Sequence, residues 1–252
     1  MAKDIWGEND GKIVGAKSNQ GSINEALKFD GDGDYVDVPD LDAGLTVKAR
    51  FKVNQTQSNA FVTQNQGGTG KGDFFNIYTS KNLLRFGLRA KDNSTWHQPN
   101  LAFTDTKGWH HFIAVYNGKK SFFYVDGELV AESKEFKICQ DAENPVRIGS
   151  RAGDFGRPVE GWIDEVRIYN RGLTPKEVQQ NFDSEGLAVG AKQKLAVTWG
   201  NSKRLDSVPS TNSAVTKGCR QKKVATSYRW SFSIVVVIEL VDKSIFISSG
   251  RC

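Results

Sequence analysis

The sequence predicts an all-β sandwich or barrel closed by one short helix. Three observations point there. The first is a succession of about a dozen short segments with period-two or β-branched character, each bounded by Gly, Asn or Asp. The second is a single helix signal at 174–182. The third is composition: 25 glycines and one methionine in 252 residues suit many tight turns and a strand-rich core.

Taken in order, residues 1–22 are loop-like, with one short strand candidate at Lys12-Ile13-Val14. Alternation begins at Ala26-Leu27-Lys28-Phe29 and resumes at Tyr35-Val36-Asp37-Val38 after a Gly/Asp turn. In LTVKARFKV (45–53), Leu45, Val47, Ala49, Phe51 and Val53 fall on one face. A Gly-rich loop, QNQGGTGKGD (64–73), contains Lys71 but lacks the G-x-x-x-x-G-K-[ST] spacing of a phosphate loop and does not open a helix. A hairpin is expected from 74–78 and 83–90 across Thr79–Asn82. Another is expected from 110–116 and 121–125 across Asn117–Lys120. Asp126-Gly127 turns the chain into Glu128–Glu132, and 145–149 and 161–169 complete the strands. Thr174-Pro175-Lys176-Glu177 then has capping-box form, with Thr174 as N-cap, Pro175 at the first helical position and Glu177 at the third. Val178 and Phe182, four apart, give the helix one apolar side.

Beyond Phe182 the texture changes. Residues 186–252 read as a linker and basic tail with little periodicity, apart from an apolar β-prone run at 230–241. The formal charge of +5 belongs to this tail: residues 203–252 hold nine Lys/Arg against three Asp/Glu, leaving the rest near −1. A nearly neutral body argues against nucleic-acid binding. No run of eighteen apolar residues exists, so no membrane-inserting helix is expected, and Met1-Ala2-Lys3-Asp4 is not followed by an apolar leader. Cys139, Cys219 and Cys252 are odd in number and form no metal-ligand spacing; a Cys219–Cys252 bridge stays open.

Four pieces, ALKFDGDGDYVDVPD (26–40), GWHHFIAVYNGKKSFFYVDGELV (108–130), PVRIGS (145–150) and GWIDEVRIYNRGLTPKEVQQNF (161–182), occur in an order and spacing that resemble the bacterial LamG-like jelly-roll domains of the laminin-G-like / concanavalin A-like lectin superfamily. The resemblance spans roughly 4–185, so 1–185 is taken as the domain. It implies a two-sheet antiparallel jelly-roll sandwich with one short C-terminal helix, followed here by an irregular basic tail. It further implies a monomeric module that binds a glycan or a protein surface, in an extracellular or surface-attached bacterial protein. In such domains an apolar strand precedes a loop like Asp4–Gly11; here Met1 sits almost in that loop. An unpaired edge is then expected, which the run 230–241 could fold back to fill.

Three kinds of chemistry are weighed. Asp30-Gly31-Asp32-Gly33-Asp34 places three carboxylates on a flexible loop, and calcium favours six to eight oxygen ligands. The resemblance implies that acidic residues of this loop and of the IDEV strand share a structural calcium ion, giving Asp30 and Asp164, with Asp32 and Asp34 beside them. The alternative is that aspartates simply favour tight turns and Asp164 pairs with Arg167. Hydrolysis in this superfamily uses carboxylates at alternate positions on one strand. Glu160 and Asp164 come nearest, but the middle carboxylate is absent, so no enzyme is expected; an atypical or degenerate glycoside hydrolase is the second reading, and an adhesion spacer the third. For ligand binding, Tyr78, Arg85, Arg89, Trp96 and His97 are the candidates. They alternate away from the core-type face of the central hairpin or lie in the polar loop that follows, and sugars are held by rings and planar polar groups. Trp109 and Trp162 read as packing residues.

Overall fold

The computed structural model describes residues 2–4, 10–23, 25–38, 46–65, 74–91, 95–138, 145–151, 156–183 and 235–239. The cysteines, residues 5–9 of the first loop, Leu45, residues 66–73 of the Gly-rich loop and the tail 186–252 apart from 235–239 lie outside them. Among the described residues the chain forms seventeen strands and one helix. The N-terminal strands are β1 (Lys3–Asp4), β2 (Lys12–Val14), β3 (Lys17–Gln20), β4 (Glu25–Asp30) and β5 (Tyr35–Val38). The middle holds β6 (Thr46–Val53), β7 (Ser58–Gln64), β8 (Phe75–Ser80), β9 (Leu83–Arg89), β10 (Trp96–His97) and β11 (Asn100–Ala102). Then come β12 (His110–Tyr116), β13 (Ser121–Val125), β14 (Glu128–Glu132), β15 (Val146–Ile148), β16 (Glu160–Tyr169), helix α1 (Pro175–Asp183) and β17 (Val235–Glu239).

These strands make two sheets. The first runs β1-β17-β16-β6-β12-β13-β14, with β4 also on β16 and β3 on β4. The second runs β10-β9-β8-β7-β15-β5-β2, with β11 on β9. All pairings are antiparallel except those of β17, which lies parallel to β1 and β16. The non-consecutive neighbours are those of a jelly-roll sandwich. The edge of β16 away from β6 is shared: β4 pairs with its first half and β17 with its second.

Local chemistry explains the turns. β8 runs on to Ser80, so the hairpin into β9 turns on Lys81-Asn82 alone, both at positive φ (52° and 59°), as a two-residue primed turn requires. Asp126-Gly127 repeats the device between β13 and β14. The β16–β6 register slips between Asp164 and Arg167, and Glu165 sits at φ 50°, marking a bulge.

The core lies between the sheets. Val47, Ala49, Phe51 and Val53 of β6 share one cluster with Phe75 and Ile77 of β8 and with Leu84, Phe86 and Leu88 of β9. Phe51 packs on Phe61 with ring centroids 4.4 Å apart. The capping box forms as expected: the Glu177 amide donates to Thr174 Oγ1 at 3.3 Å, and the Thr174 amide to Glu177 Oε2 at 2.8 Å. Arg171 grips the same carboxylate through both terminal guanidinium nitrogens, and these bonds hold the Glu177 carboxyl well down, at about 2. Val178 of α1 buries against Ile113, Val115, Tyr169 and Leu173 on the outer face of the first sheet. Among the described residues no helix covers the outer face of the second sheet.

Candidate functional site

The outward face of the second sheet is built by strict alternation. Phe75, Ile77, Leu84, Phe86 and Leu88 turn inward, so Asn76, Tyr78, Arg85, Gly87 and Arg89 turn outward. Register then brings distant residues side by side. Tyr78 pairs with Arg85, Asn76 with Gly87, Arg89 with Trp96, and Arg85 with Asn100. Four of the five expected ligand residues, Tyr78, Arg85, Arg89 and Trp96, therefore share a face.

Their roles differ. Trp96 is half-buried over Gly87, where an added Cβ would meet ring carbons at 3.1 and 3.4 Å. The Arg89 guanidinium lies 5.3 Å from the Trp96 ring centre. Glycine at 87 thus lets the indole settle on the sheet, and the arginine fixes it there. Tyr78 offers little free surface: it is buried, with Arg157 at 4.7 Å and Arg85 at 5.9 Å over its ring. His97 pairs opposite Leu88 and stacks on Phe136, with centroids 3.8 Å apart. One face of its ring is therefore already occupied. Arg85 Nη1 donates to Gln98 Oε1 at 3.4 Å, while its buried Nε has no acceptor among the described residues.

Trp96 and His97 open onto a cleft of about 440 Å³ at the rim where the two sheets meet. One wall carries Gln98 and Asn100; the other, at the end of β14, carries Glu132, Ser133 and Lys134. Sequence reasoning missed this second wall, because β14 belongs to the other sheet. It also missed Arg157, which reaches Tyr78 from the segment before β16. Farther along the same face, Arg147 holds Asp37 through two bonds (2.7 and 3.2 Å) and lies 4.0 Å over Tyr35.

The aspartates proposed for calcium fall in two places. The Asp32 amide donates to Asp30 Oδ1 at 2.9 Å, and the Asp30 amide to Asp34 Oδ2 at 3.0 Å, so these three share one turn. Asp34 is buried against Gly15, and that desolvation raises its carboxyl above the usual range despite the Asp30 amide. Asp164 lies elsewhere. Glu160 pairs with Asp30, which puts Asp164 four residues on, roughly 13 Å along the strand. Its carboxylate accepts the Ile23 amide (3.0 Å) and the Glu165 amide (2.8 Å), and burial pushes it up to about 6. Arg167 pairs instead with Glu165, at 3.0 Å. Among the described residues no three His, Cys, Asp or Glu side chains converge as a metal site.

A family model described as the concanavalin A-like lectin/glucanases superfamily matches residues 30–179. No curated protein matches the sequence at a significant level. Among solved structures the chain is similar to the receptor binding domain of botulinum neurotoxin C/D mosaic serotype, with TM-score 0.53 and 12% identity over 70% of this chain and 46% of that one. It is similar to domain 4 of AbnA, a GH43 extracellular arabinanase from Geobacillus stearothermophilus solved with arabinotriose, with TM-score 0.53 and 20% identity over 68% of this chain and 87% of that one. A third is the botulinum neurotoxin serotype D ligand binding domain in complex with N-acetylneuraminic acid, with TM-score 0.52 and 13% identity over 70% and 47%. The chain spans about half the length of the toxin domains it matches. At these identities the likeness is one of fold.

Proposed function

We propose that this chain, which belongs to the concanavalin A-like lectin/glucanases superfamily, is a non-catalytic recognition module that holds a glycan in the cleft at Trp96. The observation that carries this reading is an indole fixed between Gly87 and Arg89 at the mouth of a cleft. Amide and hydroxyl groups of Gln98, Asn100 and Ser133 line that cleft. An aromatic ring takes the C–H face of a sugar, and the planar amides and the serine hydroxyl take its hydroxyls. The neighbours solved with arabinotriose and N-acetylneuraminic acid support a saccharide as the ligand class. An extracellular or surface-attached protein is the setting that goes with such a ligand.

Recognition is favoured over hydrolysis by the carboxylates. A retaining mechanism needs two of them about 5 Å apart. Among the described residues the cleft offers Glu132, and the outward face of the second sheet offers Asp37, which Arg147 already holds. The test is a glycan array followed by calorimetry on the best ligand, with wild type and Trp96→Ala. A wild type that binds without releasing reducing ends, and a variant about tenfold weaker or worse at unchanged melting temperature, is the expected result. Released reducing ends would replace this reading with the hydrolase. Binding indifferent to Trp96 would remove the cleft from it.

A further inference from the structure

The outer face of the first sheet carries a second tryptophan cleft. Gly161 and Ile163 flank Trp162 and face the core, so Trp162 turns outward. Register sets it in a row across four strands: Lys17 pairs with Lys28, Lys28 with Trp162, and Trp162 with Lys52. The row continues to Trp109, because His110 pairs with Phe51. The two indoles thus stand two strands apart, roughly 10 Å. Both are half-buried rather than packed away. With Lys52 they floor a cleft of about 320 Å³ whose wall is Asn19, Gln20 and Gly21. That wall is braced: the Ile23 amide donates to Asp164 at 3.0 Å, and Arg50 Nη1 donates to Ser22 Oγ at 2.9 Å.

The row itself is cationic, while Asp30 and Glu160 lie one step along their strands on the same face and Asp164 stands behind Gly21. Lys28 Nζ and Lys52 Nζ lie 5.5 and 5.6 Å from the Trp162 ring centre, and neither makes an ion pair among the described residues. An ammonium has three donors and a ring face satisfies none of them fully. Two cations without an ion-pair partner among the described residues, beside two indole rings and two exposed amides, match one chemistry: a sugar that carries an anion.

We propose that this cleft is a second binding site, on the opposite sheet from Trp96, for an acidic oligosaccharide. Successive rings rest on Trp162 and Trp109, the carboxylate or sulfate of the ring over Trp162 is reached by Lys28 on one side and Lys52 on the other, and the hydroxyls meet Asn19 and Gln20. It stands independently of the Trp96 cleft, and either site can fail without the other.

Calorimetry on the full chain tests it with three probes: an oligogalacturonide trimer, the same trimer as its methyl ester, and a sulfated carrageenan tetrasaccharide. The proteins are wild type, Trp162→Ala, the double variant Lys28→Gln/Lys52→Gln, and Trp96→Ala. At least one anionic probe is expected to bind the wild type, more weakly as salt rises. The lysine double variant and Trp162→Ala should each lose about tenfold in affinity, about 1.4 kcal/mol, while Trp96→Ala keeps it. Which anionic probe binds names the anion. Should Trp162→Ala fail to fold, the lysine variant, altered only at outward side chains, carries the test. Neither anionic probe binding, wild-type affinity in the lysine variant, or equal affinity for the only bound trimer and its ester would overturn the proposal.

Discussion

Replacing Asp164 by Asn should change how stability depends on pH more than it changes stability itself. In the unfolded chain this carboxyl titrates near its ordinary 3.8; in the fold, desolvation moves it to about 6. Between those values the folded state holds more protons than the unfolded one, so stability falls as pH rises through this window. The loss is complete above about 6. A shift of about two units amounts to about 3 kcal/mol. Asn removes that slope but brings a constant cost. Its single carbonyl accepts from only one of the Ile23 and Glu165 amides, which now use the two carboxyl oxygens; the hydroxyl oxygen of the protonated acid still accepts, and an NH₂ does not. The other amide then faces an NH₂ group, at about 1–3 kcal/mol. The variant should therefore be less stable than wild type near pH 4 and level with it or better near pH 7.5. Urea unfolding followed by tryptophan fluorescence across that range gives the difference, in which all other titrating groups cancel. A difference that stays flat within about 0.5 kcal/mol would refute the buried, ionising Asp164 on which the argument rests.

Two further substitutions test the frame, and one addition tests the turn carboxylates. Gly149 sits at φ 93°, and an added Cβ would run into the buried Phe29 ring, so Gly149→Ala should lose roughly 2–5 kcal/mol by chemical denaturation. Thr174→Ala removes the N-cap hydroxyl of α1 and should cost about 1 kcal/mol, a fall of about 2–4 °C in the melting temperature. Millimolar calcium should act, if anywhere, through the 30–34 turn: a rise in melting temperature that Asp34→Asn abolishes and Asp164→Asn does not is the pattern this geometry requires, and the reverse pattern would contradict it.

Much of the frame could be read from residues that report on themselves. Val47, Ala49, Phe51 and Val53 point inward because a strand alternates, and Thr174 with Glu177 caps a helix wherever it stands. The outward turn of Tyr78, Arg85 and Arg89 followed from the same alternation. What alternation leaves open is register between strands far apart in sequence. The Asp30–Glu160 pairing separates Asp164 from the turn carboxylates, and no local pattern encodes it. The Lys28–Trp162–Lys52 row depends on three strands meeting in one register, which is why Trp162 read as packing from sequence. The stacking of His97 and the approach of Arg157 were invisible for a related reason: the stacking partner Phe136 and the Tyr78 ring are reached only through tertiary contacts. The alternating positions of 83–89 contained one usable signal: a glycine at 87 among outward-facing arginines marks where a large side chain lies down on the sheet.

The most direct measurement is a crystal structure of the domain with the saccharide that binds it best in solution, collected alongside the Trp96→Ala variant. A sugar ring is expected against Trp96, with hydroxyls toward Gln98, Asn100 and Ser133 and no sugar there in the variant. A saccharide bound elsewhere, with the Trp96 cleft unoccupied at saturating ligand, would contradict it.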